Sequence, residues 1–370
     1  MGQLVCIECG ASFALDEPRW RCRCGGLLDL EWQPKFDLDR IASRPPTMWR
    51  YREAIPIAGD HQVISLDEGF TPLLPMSIGG RNVWVKQDQL FSTGSYKDRG
   101  ASVLISQAAA LGVERVVEDS SGNAGCAIAA YCARAGIECA IYVPETTSPG
   151  KLVQIETYGA ELHRIPGSRE DTADAAFAAA QDTYYASHSW NPFFFHGTKT
   201  FAFEVCEQLG WRAPDLVVLP AGNGTLLLGA AIGFRELVEA GVIERVPRLI
   251  AVQAAACAPL YVAWEKGLDH PDVVHKQPTL AEGIAIAEPV RGPQIVQAVR
   301  ASGGTFLTVT EDEIRASWRS LGAQGFFVEP TAAATAAGVL KAIDTTPEGW
   351  VVVSVFTGHG LKAAVGLDAH

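Results

Sequence analysis

The chain has 370 residues, 48% of them hydrophobic and 19% charged, and its 42 acidic and 30 basic side chains give a formal net charge of −12. This length and apolar content provide for two core-forming domains and exclude a disordered polymer, while the acidic balance without a basic run excludes a nucleic-acid surface. No apolar run reaches membrane-spanning length and the start does not read as a signal, so a cytoplasmic protein with no membrane partner is expected.

The first thirty residues hold two knuckles, Cys6-Ile7-Glu8-Cys9-Gly10 and Cys22-Arg23-Cys24-Gly25-Gly26. Four thiolates suit tetrahedral zinc, and glycine after each pair lets backbone amides approach sulfur. The second pair is C-x-C, so disulfides or free thiols are the alternatives. A reducing compartment favours a structural zinc on Cys6, Cys9, Cys22 and Cys24. The other five cysteines, Cys126, Cys132, Cys139, Cys206 and Cys257, sit in apolar segments and read as small hydrophobes. Residues 33–66, rich in proline, arginine and tryptophan, show no period and read as a wrapping connector.

Val83-Trp84-Val85-Lys86 alternates like a strand, Ser92-Thr93-Gly94-Ser95 breaks it, and Asp98 opens a helix that Gly112 stops. Lys97 therefore stands at a strand-to-helix corner. A lysine kept there from full solvation can present the neutral amine that forms a Schiff base, although most lysines are surface residues. Val116-Val117-Glu118 leads into Asp119-Ser120-Ser121-Gly122-Asn123-Ala124-Gly125 and a helix, a seat for a carboxylate. Leu216–Pro220 leads into Ala221-Gly222-Asn223-Gly224-Thr225, whose glycines let backbone donors close around a phosphate. A nucleotide site is the rival reading, and neither nucleotide-binding glycine motif is present.

Short strands at 113–118, 138–143, 162–165 and 184–186 alternate with helices, as do those at 216–220, 249–253, 305–309 and 350–356. They predict an α/β chain with two parallel sheets. The expected organisation is a zinc-ribbon-like element at 1–32, the connector at 33–66, a large domain from 67–97 and 196–370, and a small inserted domain at 98–195.

Gly94-Ser95-Tyr96-Lys97-Asp98-Arg99-Gly100, Ser120-Ser121-Gly122-Asn123, Gly222-Asn223-Gly224-Thr225 and Thr357-Gly358-His359-Gly360-Leu361-Lys362 together resemble fold-type II pyridoxal-phosphate enzymes, most closely the threonine synthase family. The likeness runs from about Asp67 to Lys362 and includes Asn191-Pro192, Gly197-Thr198-Lys199-Thr200 and Glu329-Pro330-Thr331. It implies a tryptophan synthase β-like fold, pyridoxal 5′-phosphate bound covalently to Lys97, and a homodimer. Lys97 then also moves protons on the substrate. Gly222, Asn223, Gly224 and Thr225 hold the cofactor phosphate, Asn123 bonds the pyridine 3′-oxygen, and Thr357 faces the pyridine nitrogen. A neutral hydroxyl there leaves that nitrogen largely unprotonated and favours elimination and replacement. Ser120, Ser121, Gly122 and nearby amides receive the substrate α-carboxylate.

The resemblance implies conversion of O-phospho-L-homoserine and water to L-threonine and phosphate. The family's arginine after the Asn-Pro pair is here Phe194, and its threonine in the asparagine loop is Ala124. No arginine stands in Gly283-Ile284-Ala285-Ile286-Ala287, and Ala363-Ala364 replaces a late Asp-Pro. Lys199, Ser189, His188 and Arg291 are the candidates to bind substrate phosphate instead. A serine/threonine ammonia-lyase or β-replacement enzyme is the alternative, and a non-catalytic sensor a remote one.

Overall fold

A computed structural model of the chain describes residues 2–57, 63–147, 149–167 and 169–363; Ala364 of the late motif lies outside them. In chain order the strands are β1 (Gln3–Cys6), β2 (Ser12–Ala14), β3 (Leu28–Glu31), β4 (Leu73–Ile78), β5 (Arg81–Lys86), β6 (Arg115–Glu118) and β7 (Glu138–Pro144). They continue with β8 (Glu161–Ile165), β9 (Tyr184–Tyr185), β10 (Leu216–Pro220), β11 (Arg248–Ala254), β12 (Thr305–Val309) and β13 (Val352–Val355). The residues fall into two compact units, one of Met1–Gly69 with Lys97–Thr198 and the other of Phe70–Tyr96 with Lys199–His370.

The first unit holds two sheets. Strands β2-β1-β3 form a small antiparallel sheet that presents the cysteine knuckles, and β8-β7-β6-β9 form an all-parallel one. The parallel strands are joined by helices Asn123–Ala135, Pro149–Thr157 and Arg169–Ala179, as crossover connections require. Its core gathers Leu104, Ile105, Ile128, Tyr131, Ile141 and Phe194. The connector is packed into this unit: Met48 and Tyr51 are buried, and Trp49 Nε1 donates to Glu68 Oε1 at 2.8 Å. Glu68 also accepts from Ser102 and Tyr131, so its buried carboxylate is fully engaged.

The second unit is a six-stranded sheet in the order β12-β11-β10-β13-β5-β4, parallel except for the β4–β5 hairpin. Gly79 and Gly80 turn that hairpin with φ of 59° and 77°, the left-handed pair that a two-residue turn needs. Pro75 interrupts the strand pattern of β4, and it is tolerated because β4 lies at the edge of the sheet. Strand β10 is buried along its length, as a strand covered on both faces must be. No helix among the described residues is long and apolar enough to cross a membrane.

Candidate active site

Within the first unit, Lys97 is the opening residue of the helix Lys97–Ala110. That helix crosses Pro192–Thr198 at two glycines. A Cβ on Gly100 would lie 2.4 Å from the Phe194 ring, and one on Gly197 would lie 2.0 Å from the Arg99 carbonyl oxygen. The close crossing buries Phe194 completely and sets the Lys97 Nζ 5.5 Å above its ring centroid. Phe193 and Phe195 are buried beside it. An aromatic face thus meets the amine where the resemblance expects a guanidinium.

Asn123 begins the helix Asn123–Ala135, directly after Ser120, Ser121 and Gly122. The turn is held by Gly122 N–H donating to Ser120 Oγ at 3.3 Å, and by Gly125, where a Cβ would lie 1.9 Å from the Ser120 carbonyl oxygen. Only glycine permits that approach, so Ser120, Ser121 and the first helical amides are brought into one loop. Ser189 is buried, with its Oγ 3.3 Å from Ser187 Oγ.

Two acids, Glu118 and Asp119, stand just before Ser120. Asp119 is braced by Tyr185 OH at 2.8 Å and by Arg169 at 3.0 Å. Glu118 is fully buried, with Oε1 2.7 Å from His188 Nδ1. Its Oε2 has no hydrogen-bond partner among the described residues, a state that costs about 1–3 kcal/mol for a buried acceptor. Burial, and then the Asp119 charge, push the Glu118 carboxyl well above the usual range. Burial, and then the Lys97 charge, push His188 well below its ordinary value.

The second unit carries the glycine loop and the late motif. Gly224 precedes the helix Thr225–Glu239 with φ 67° and no side-chain cap bond, so the helix presents its first amides beside Gly222 and Asn223. Tyr96 OH and Thr225 Oγ1 are 2.8 Å apart. The late motif clamps the turn before Lys97: Tyr96 N–H donates to Thr357 O and His359 N–H to Gly94 O, both at 2.9 Å, and Lys362 Nζ donates to Thr93 O at 2.7 Å. Ser95, fully buried between them, has an Oγ with no partner among the described residues. An orphaned hydroxyl, an uncapped helix N-terminus and glycine-lined backbone fit a phosphate-bearing cofactor. Thr357 Oγ1 donates to Glu329 Oε1 at 2.7 Å, so the remaining capacity of that oxygen is as an acceptor. His359 accepts from Leu361 N–H and caps its own short turn.

Lys199 is completely buried, with Nζ 2.8 Å from Glu236 Oε1. Burial pulls the lysine down and pushes the glutamate up, while each partner's charge opposes that shift in the other, so the contact itself offsets part of the desolvation. Lys199 thus has an ion-pair partner of its own within this unit. Arg291 is also buried, donating to Gln294 Oε1 at 2.8 Å.

The sulfurs of Cys6, Cys9, Cys22 and Cys24 lie within 4.8 Å of one another, with Cys6–Cys24 and Cys9–Cys22 each at 3.6 Å and no disulfide formed. Four sulfurs held about 2.3 Å from one ion stand about 3.8 Å apart, so the donor set fits a single tetrahedral metal. The five remaining cysteines are buried thiols.

The family of pyridoxal-phosphate dependent enzymes matches residues 64–358. The threonine synthase of Methanocaldococcus jannaschii is 36% identical, over 96% of this chain and 92% of its own length. That of Synechocystis sp. is 38% identical, over 84% of this chain and 82% of its own. Among solved structures, a threonine deaminase from T.th. superposes with a TM-score of 0.67 at 25% identity, covering 78% of this chain and 92% of that one.

Proposed function

The chain belongs to the threonine synthase family of pyridoxal-phosphate dependent enzymes, and from that premise we propose that it converts O-phospho-L-homoserine and water to L-threonine and phosphate. The observation that carries the reading is the 36% identity that extends over 96% of the chain. The protein is a lyase. When bound, pyridoxal phosphate supplies an electron sink for carbanions at the substrate's α and β carbons.

The chain's own residues divide the work. Lys97 carries the cofactor covalently and moves protons on and off the substrate carbons. Gly222, Asn223, Gly224 and Thr225, with the helix start behind them, receive the cofactor phosphate, and Ser95 offers a further hydroxyl. Asn123 serves the 3′-oxygen and Thr357 the ring nitrogen. Since the Thr357 proton goes to Glu329, its oxygen favours a protonated ring nitrogen, which reverses the expectation drawn from a bare neutral hydroxyl. Ser120, Ser121 and Gly122 receive the α-carboxylate, and Ser189 is the side-chain donor for the substrate phosphate. The four amino-terminal cysteines hold a structural zinc. The protein is cytoplasmic and homodimeric in this reading, its mass in solution being the check on the second point.

A second reading, a serine/threonine ammonia-lyase or β-replacement enzyme, draws on one observation: a buried phenylalanine lies under Lys97 where the family carries an arginine. Purified protein incubated with O-phosphohomoserine, threonine and serine decides between them. Phosphate and threonine formed together support the first reading, and 2-oxoacid from serine or threonine without phosphate release supports the second. Borohydride reduction should fix the cofactor on Lys97; its recovery on another lysine would overturn both.

A further inference from the structure

Glu118 has no part in the roles above and His188 enters only as a candidate for the substrate phosphate, yet they form a buried pair in the unit that carries Lys97. Glu118 ends β6 and His188 follows β9, two strands that pair in parallel. The His188 ring packs edge-on against Phe194, centroids 6.0 Å apart, and the same ring lies beneath the Lys97 amine. The charged and titratable groups around the pair are Asp119, Arg169, Tyr185 and Lys97.

The proton count is informative. A low-dielectric site favours a pair of net charge zero, with one proton between Oε1 and Nδ1. A proton on Oε2 would have no acceptor among the described residues, so whichever side the shared proton is assigned to, the second resides on His188 Nε2. Loss of it leaves the pair at −1, a charge that Lys97 and Arg169 offset.

We propose that His188, positioned by Glu118, carries the proton exchanged with oxygen at the substrate's side chain: Nε2 donates it to the departing phosphate and recovers one from the water that adds at Cβ. This rests on the reading of Lys97 as the cofactor lysine. In the overall conversion, protons leave Cα and Cβ and return to Cα and Cγ, so Lys97 can serve all the carbons without net change. The oxygens need a separate exchange. When the Cγ–O bond breaks, its electron pair stays on oxygen, and the Nε2 proton makes the leaving group hydrogen phosphate instead of a trianion. When water adds, its oxygen bonds to Cβ, the Cα–Cβ π pair shifts toward Cα, and the released proton restores Nε2–H. The geometry is that of an imidazole whose tautomer a carboxyl fixes.

The test compares the holoenzyme with His188→Gln and Glu118→Gln in D2O, following O-phosphohomoserine by NMR together with phosphate release. His188→Gln should continue to exchange the α proton while phosphate release falls by about 10²-fold or more. In the cofactor-free chain, ¹⁵N-histidine NMR should show His188 protonated at Nε2, with the tautomer preference lost in Glu118→Gln. The proposal is overturned if exchange and release fall in step, if release is unchanged, or if Nε2 carries no proton. A wild type that exchanges the α proton but releases no phosphate refutes the substrate reading alone. Serine then replaces the phosphate ester in the same comparison, since departing hydroxide needs the same proton.

Discussion

Gly100→Ala should destabilise this protein, although in most helix interiors the same change helps. Gly100 lies in the helix Lys97–Ala110, where alanine is favoured over glycine by about 1 kcal/mol. Here a Cβ would lie 2.4 to 2.5 Å from three atoms of the Phe194 ring. That ring is fully buried and packs against His188, so it cannot swing aside without moving the helix that carries it. Overpacking of this kind costs about 1–3 kcal/mol, and the tighter end applies because all three contacts lie below any normal carbon–carbon approach. The net expectation is a loss of about 1–2 kcal/mol, or roughly 1–3 °C in Tm for a chain of this length. Because the crossing also seats Lys97, borohydride-trapped cofactor should fall in parallel. Thermal unfolding followed by circular dichroism is the assay, with Phe194→Leu in the Gly100→Ala background as the complement. Making room should recover part of the loss, a coupling of about 0.5–3 kcal/mol. A Gly100→Ala protein as stable as wild type, or more so, would refute the close helix crossing and with it the placement of Phe194 beneath the amine.

The Lys199–Glu236 pair gives a contrast between single and double substitutions. Lys199→Met alone leaves a buried carboxylate without its cation and should cost about 3–5 kcal/mol, whereas Lys199→Met with Glu236→Leu should come close to neutral. A double variant that regains stability but loses affinity for O-phosphohomoserine would show that Lys199 reaches the substrate after all. Metal analysis should find about one zinc per chain, lost in Cys6→Ser and Cys22→Ser; a metal-free wild type, or disulfides among these four, would contradict it. The Arg44 guanidinium holds the Glu53 carboxyl at about 2, below an unfolded value of about 4.3. A depressed carboxyl stabilises the fold above its unfolded value and ceases to as pH falls through the folded one. Between about pH 5 and pH 2, Glu53→Gln should therefore lose less Tm than wild type, and identical acid slopes would exclude the contribution.

Much of this architecture is legible in the chain itself, because its determinants are local. The predicted strands at 216–220 and 305–309 coincide with β10 and β12, since an apolar run bounded by turn residues reads as a buried strand. Lys97 falls at its predicted corner because Gly94 supplies a φ of 80°. The cysteine knuckles carry their own spacing, and the structure brings all four sulfurs together.

Other features depended on partners distant in sequence. Lys199 reads as a candidate substrate cation, and nothing near it in sequence announces Glu236, which helix packing brings to it from 37 positions away. Thr357 reads as a bare hydroxyl until Glu329, 28 positions earlier, accepts its hydrogen bond. Glu118 looks like the polar end of a strand, and nothing in its neighbours announces a histidine 70 residues on. Composition, periodicity and turn chemistry fix which residues form each element and which loops face a ligand. They do not encode sheet register or the distance at which two helices cross. Those follow from packing the whole unit, and they alone decided which buried carboxyl received a cation, which received an imidazole, and which oxygen was left without a partner.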